Sequence, residues 1–345
     1  MLSLQINISY TAFTTLRTRF FNKKVINFYA ERTFDCQISG LRVLIAALLL
    51  GLQILGKNMF ENKNIDWSEV MSWKSPPKLD FVIDGLLAGT VASIVAPGAT
   101  GKSFFGLELC LAVTVKDLLG LGISPDENAK AVYITAEDPK DVLESRCFHM
   151  LKHFDDRERK AVSERVEVFS IHGELPSILN NKGEIHEAEK KAIAAITELA
   201  TGKRLLILDT LRKFHGGEEN DSGHMTRLTQ ILDQIAHNTK CAIMFLHHSN
   251  KGGNNKEKGG DQSASRGSTA LVDNIRFQLN LVKMTEDERK AYGLRPEQAS
   301  SYVKVVGAKT NYREKNHDFW LKRGDGGVLM GVKLEPVKQG RYTNK

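Results

Sequence analysis

Ala96-Pro97-Gly98-Ala99-Thr100-Gly101-Lys102-Ser103 ends in Gly-Lys-Ser after a turn of small residues. Those types at that spacing can hold a polyphosphate. Glycine lets the backbone wrap so that N–H groups converge on phosphate oxygens. A helix beginning at the end of the loop adds the positive end of its dipole. Lys102 can reach the β and γ phosphates, and the Ser103 hydroxyl can ligate Mg²⁺. Ala96 stands where the phosphate-loop motif has its first glycine, a departure at the edge that leaves Gly101, Lys102 and Ser103 intact. The expected ATP-binding residues are Ala96, Pro97, Gly98, Ala99, Thr100, Gly101, Lys102, Ser103 and Phe104. The bland alternative is a chance Gly-Lys-Ser turn.

Two carboxylates and a pair of histidines complete the chemistry. Leu205-Leu206-Ile207-Leu208-Asp209 is an apolar run that delivers Asp209 where ligands bind in open α/β sheets. Behind a phosphate loop, Asp209 is expected to share the Mg²⁺ shell with Ser103. Thr210 follows it, so a water-activating base must come from elsewhere. Glu137 lies just past another apolar run and could accept that proton. From spacing alone it could equally cap the next helix. His247 and His248 end a third run, and neighbours on a strand point to opposite faces. One histidine is then expected near the nucleotide edge and the other buried, with no joint metal site.

The elements that must position these residues follow from the pattern. Strands are expected at residues 91–95, 131–135, 166–170, 205–208 and 241–246. Helices are expected at 103–115, 139–154, 184–200 and 225–238. This alternation predicts an α/β fold, a twisted, mostly parallel sheet with helices on both faces. Further strands are expected at 275–282 and 302–306, with 319–322 and 328–330 closing the sheet as a hairpin. Segments 213–224 and 249–268 are long polar loops, of the kind that is usually functional.

The 345 residues are 41% hydrophobic and 26% charged, which excludes wholesale disorder. Net charge is +7, which permits a nucleic-acid partner. Residues 1–58 hold seven lysines and arginines against two acids, so most of that charge sits there. Cys36, Cys110, Cys147 and Cys241 form no CxxC pair, so no zinc site or disulfide framework is indicated. Scattered thiols suit a reducing, cytoplasmic compartment. Residues 41–56 are apolar but shorter than a membrane helix requires. The composition changes at Met59. Residues 1–58 are therefore expected to be an uncertain extension, with translation starting at Met59 and one domain over 59–345. A membrane anchor is the alternative, and no stable membrane association is expected.

Several motifs occur in order: the phosphate loop, Ala136-Glu137-Asp138-Pro139, Leu208-Asp209-Thr210-Leu211-Arg212-Lys213-Phe214-His215, and Phe245-Leu246-His247-His248. Ser265-Arg266-Gly267-Ser268 and Leu271-Val272-Asp273-Asn274-Ile275-Arg276 follow. Together they resemble the plasmid-encoded hexameric replicative DNA helicases called RepA, a branch of the RecA-like P-loop NTPases. The resemblance spans about residues 80–329. It implies a RecA-like fold, ATP and Mg²⁺ as cofactors, and a homo-hexamer translocating 5′ to 3′ on single-stranded DNA. It implies Glu137 as catalytic base, Lys102 on the phosphates, His248 as γ-phosphate sensor, and Arg276 as an arginine finger entering a neighbouring site. Lys309 is a weaker trans candidate, and Arg146 resembles a site-linked position. A replication initiator and a primase are the implied partners. The two long loops would line the DNA channel, the second offering Lys251, Lys256, Lys258 and Arg266 to phosphates. A RecA-like ATPase without unwinding activity and a nucleotide-gated adaptor are the competing functions.

Overall fold

The computed structural model describes residues 63–174, 177–249, 270–312 and 318–337. The chain divides into two units, Met1–Pro77 and Lys78–Lys345. The expected extension, the Met59 start and the apolar run at 41–56 lie outside the described residues, as does loop segment 250–269 with its lysines and Arg266. Among the described residues, no helix is long and apolar enough to cross a membrane.

The first unit contributes one short described helix, α1 (Trp67–Ser72), whose N-cap Asp66 accepts from the Ser68 and Glu69 amides. It buries none of its residues.

The second unit is built on nine strands in the order β11-β10-β9-β8-β3-β7-β6-β4-β5. A small hairpin, β1 (Phe81–Ile83) and β2 (Leu86–Leu87), precedes it. In chain order the core strands are β3 (Val91–Ala96), β4 (Ala131–Thr135), β5 (Val166–Ser170), β6 (Leu205–Asp209) and β7 (Ala242–His248). These five pair in parallel, and β8 (Phe277–Lys283) adds in parallel to β3. Then β9 (Tyr302–Thr310), β10 (Phe319–Arg323) and β11 (Leu329–Val332) extend the sheet antiparallel. The expected closing hairpin is β10–β11.

Alternation along each strand divides the core in two. Ala92, Ile94, Ala131, Tyr133, Leu205, Ile207, Ala242, Met244 and Leu246 join one cluster with α2 (Lys102–Thr114). Val91, Val132, Ile134, Leu206, Leu208, Ile243 and Phe245 join the other, with α5 (Glu187–Ala200) and α6 (Ser222–Thr239). Strand parity therefore assigns each neighbouring residue to a face. At Gly106 in α2, an added Cβ would lie 3.2–3.4 Å from Tyr133, Ile207 and Leu246. Its absence lets the helix sit close on the sheet.

The remaining helices are α3 (Lys140–Leu151), α4 (Asp156–Arg165), α7 (Ala270–Asn274), α8 (Glu286–Ala291) and α9 (Pro296–Ala299). Helices α1, α4, α7, α8 and α9 are not expected from the sequence pattern. For α4 the reason is physical: apart from Ala161 and Val162 it is polar and it buries no residue fully, so no apolar stripe marks it. Its readable signal was the Asp155/Glu158 capping box.

Candidate nucleotide site

Strand β3 is buried at all six positions and turns at Pro97 into the loop that starts α2. Gly101 is the N-cap, with φ 102°, a conformation that L side chains rarely adopt. A Cβ there would also meet Arg323 Nη2 at 3.1 Å and Leu329 Cδ1 at 3.3 Å. Ala99 is held at φ 60°, which costs an L-residue roughly 1 kcal/mol. Thr100 Oγ1 donates to the Pro97 carbonyl at 2.9 Å and braces the turn.

Parity explains what converges on the loop. Asp209 shares its face with Leu205 and Ile207, and His248 shares its face with Met244 and Leu246. That is the α2 face. His247 shares parity with Ile243 and Phe245 and is buried. His248 is half-buried. The pair thus splits as strand geometry requires, and His248 is the one at the loop.

Lys102 Nζ lies 3.4 Å from His248 Nε2. The same Nε2 lies 3.8 Å from Glu137 Oε1, an ion-pair distance too long for a hydrogen bond. Glu137 Oε1 accepts from Thr210 Oγ1 at 2.8 Å. With His248 the largest influence, then Thr210 and Lys102, the Glu137 carboxyl is held down at about 2 despite burial. It is ionised throughout the neutral range. Burial pushes the Lys102 ammonium below its ordinary value, opposed by the charges of Asp209, Glu137 and Asp138.

Asp209 is fully buried. Burial raises its pKa, opposed by the neighbouring Ser103 and Tyr133 hydroxyls and by the charge of Lys102. Its Oδ2 accepts from the Tyr133 hydroxyl. Its Oδ1 is buried with no hydrogen-bond donor among the described residues. A buried carboxylate oxygen lacking a donor, beside the Ser103 hydroxyl, is a hard oxygen pair suited to Mg²⁺. Both residues therefore fit the cation.

Around this centre, Arg146 Nη1 donates to Asp138 Oδ2 at 2.6 Å, and the guanidinium lies 5.3 Å from the Phe104 ring centroid. A cavity of about 500 Å³ opens beside Glu137, lined also by Ala136, His172, Gly173, Glu174 and Lys213.

Arg276 is elsewhere. It is exposed and precedes β8, and its amide donates to the Val91 carbonyl. Val91 is the first residue of β3, whereas the phosphate loop follows the last. About 16 Å of strand separates those two levels. Lys309 donates to the Val272 and Asp273 carbonyls at 2.7 and 3.2 Å and so caps the end of α7.

Tyr133, Glu108 and Arg323 have no role that the sequence indicates, and Thr210 stands out there only as a residue unable to be the base. Tyr133 carried one signal, since a hydroxyl in a buried strand needs a partner. The others carried none.

The sequence profile of the family described as an AAA domain matches residues 60–254. Among solved structures, the ATPase domain of G40P superposes with a TM-score of 0.50 at 14% identity, covering 77% of this chain and 96% of that one. A DnaB-like replicative helicase, whose structure describes its interactions with primase, superposes with a TM-score of 0.53 at 14% identity. That match covers 86% of this chain and 75% of the other. At such identities the likeness speaks to the fold, which is the RecA-like P-loop fold expected from the sequence.

Proposed function

The chain belongs to the AAA-domain family matched over more than half its length, and on that premise we propose that it is an ATP-driven replicative DNA helicase. One observation carries the proposal. An ionised Glu137 is held by Thr210 next to His248 and Lys102, at the head of the loop-bearing helix.

ATP would lie along residues 96–104, its β and γ phosphates received by the loop amides and by Lys102. Mg²⁺, held by Ser103 and Asp209, would neutralise phosphate charge when bound. Glu137 would orient and deprotonate the attacking water. His248 would sense the γ-phosphate through a choice of partner. A single Nε2 can accept from Lys102 or donate towards Glu137, and it cannot do both. When Lys102 turns to the phosphates, Nε2 is released. His248 is the last residue of β7, so that change would be passed to the chain that follows it.

Arg276 would complete the site of a neighbouring subunit. In its favour stand its exposure and its position at the opposite end of β3 from its own phosphate loop. A permanently charged, planar fork suits a transferring phosphoryl group. A homo-hexamer on single-stranded DNA, acting in plasmid or mobile-element replication with an initiator and a primase, is the assembly this implies.

The test combines three measurements on the same protein: ATP hydrolysis with and without single-stranded DNA, displacement of an annealed strand, and native mass with ATP and Mg²⁺. We expect stimulated hydrolysis, displacement and a six-subunit ring. Stimulation without displacement would favour an ATPase that remodels DNA without unwinding it. A strict monomer under all conditions would remove any partner site for Arg276.

A further inference from the structure

The β10–β11 hairpin lies some 65 residues beyond the family match and over 200 residues from the phosphate loop in sequence, yet it grips that loop at one point and the helix behind it at another. Arg323, the last residue of β10, donates from Nη2 to the Thr100 carbonyl at 2.9 Å. Leu329, the first residue of β11, donates its amide to Glu108 Oε1 at 2.7 Å. Glu108 is fully buried in α2, within two turns of Lys102. Burial pushes the Glu108 carboxyl well above its ordinary value, opposed by the Leu329 amide and by the charge of Arg323. The Gly324 amide donates to the Val328 carbonyl within the hairpin turn, and the Arg323 amide donates to the Ser301 carbonyl just before β9, both at 2.7 Å.

The Arg323 contact acts on a peptide plane that matters. In a trans peptide the C=O and the following N–H point in opposite directions. Holding the Thr100 carbonyl towards Arg323 therefore aims the Gly101 N–H the other way, into the loop. Gly101 provides the remaining room: any Cβ there would crowd both Arg323 and Leu329. A neutral amide could rotate away from a weak acceptor contact. A guanidinium hydrogen bond is about twice as strong and holds direction better.

We infer that Arg323 is a positioning residue of the phosphate loop, fixing the Thr100–Gly101 peptide so that its N–H faces a bound β-phosphate. This rests on the nucleotide-binding reading above. Arg323 does not reach the reacting atoms and takes no part in proton transfer.

The test is equilibrium binding of ADP and AMP to the full chain, read by calorimetry alongside the melting temperature. R323M keeps the apolar stem and removes the donors. ADP affinity should fall roughly tenfold, the worth of one charge-assisted hydrogen bond. AMP affinity should stay within twofold, because AMP has no β-phosphate. R323K keeps one point donor without the fork, and its loss for ADP should be smaller but measurable, about threefold. Unchanged ADP affinity in both variants would overturn the inference. So would equal losses for ADP and AMP, or a lowered melting temperature with an unchanged ADP-to-AMP ratio, which are the marks of a plain structural tether. Should R323M fail to fold, R323K decides: wild-type ADP affinity overturns the inference. Wild-type protein that binds no ADP would instead sink the nucleotide-binding reading itself.

Discussion

Lys102 and His248, 146 residues apart, meet at 3.4 Å between Nζ and Nε2. An ammonium can only donate, so His248 Nε2 is on the accepting side of this contact. Removing the ammonium leaves the phosphates without their cation. For K102A we expect ATP turnover to fall on the order of a hundredfold or more, measured by phosphate release at saturating Mg²⁺. Turnover within twofold of wild type would contradict the assignment of Lys102 and favour an adaptor that needs only binding.

Glu137 and Thr210 divide the next prediction. E137Q should lower turnover by 10²–10³-fold, roughly the value of general-base catalysis, while nucleotide affinity changes little. T210V removes only the hydroxyl that donates to Glu137 Oε1. Its effect should be a few-fold loss in turnover, because the charge of Lys102 still favours the ionised carboxylate. Equal and large losses in T210V and E137Q would mean that Thr210 does more than position Glu137.

Mixing variants tests the shared site. K102A loses the phosphate lysine of its own site, and R276A loses the arginine offered to the next. Each alone should be nearly inactive. Co-assembled rings contain interfaces that pair an intact Lys102 with an intact Arg276, so turnover should reappear in the mixture. Mixed samples no more active than the sum of the separate ones would place Arg276 outside the neighbouring site.

His215 gives a prediction about acid. It is 5% exposed, and burial, with help from the Arg212 and His247 charges, lowers its pKa to about 4 from 6.5. Between pH 6.5 and 4 the unfolded chain binds a proton there and the folded chain does not. Stability contributed by keeping His215 neutral is therefore present above pH 6.5 and lost as pH falls towards 4. The loss should amount to about 3 kcal/mol across that window. H215L should flatten this part of the profile in urea titrations at several pH values. Parallel profiles for variant and wild type would show that His215 is not the group responsible.

Much of this was legible in the sequence because it is periodic. The loop between a strand and a helix, Asp209 at a strand end and the His247/His248 split all follow from which way consecutive side chains point. The links that hold the centre together were not legible. Thr210 to Glu137, Tyr133 to Asp209, Leu329 to Glu108 and Arg323 to Thr100 span 73, 76, 221 and 223 residues. No spacing rule connects residues that meet only once the sheet is assembled. Arg276 was named through resemblance alone, and only the sheet order reveals that it stands at the far end of β3.

The order β8-β3-β7 has one more consequence. The strand that leads into the phosphate loop has one neighbour inside the family match and the other, Phe277–Lys283, outside it. A fragment cut at residue 254 would turn the most interior strand of the molecule into a bare edge. Its unpaired amides and carbonyls, flanked by Ile94 and Val95, would recruit other strands before any nucleotide could bind. The shortest piece of this protein able to stay in solution is thus set by the far side of the sheet rather than by the residues that hold ATP.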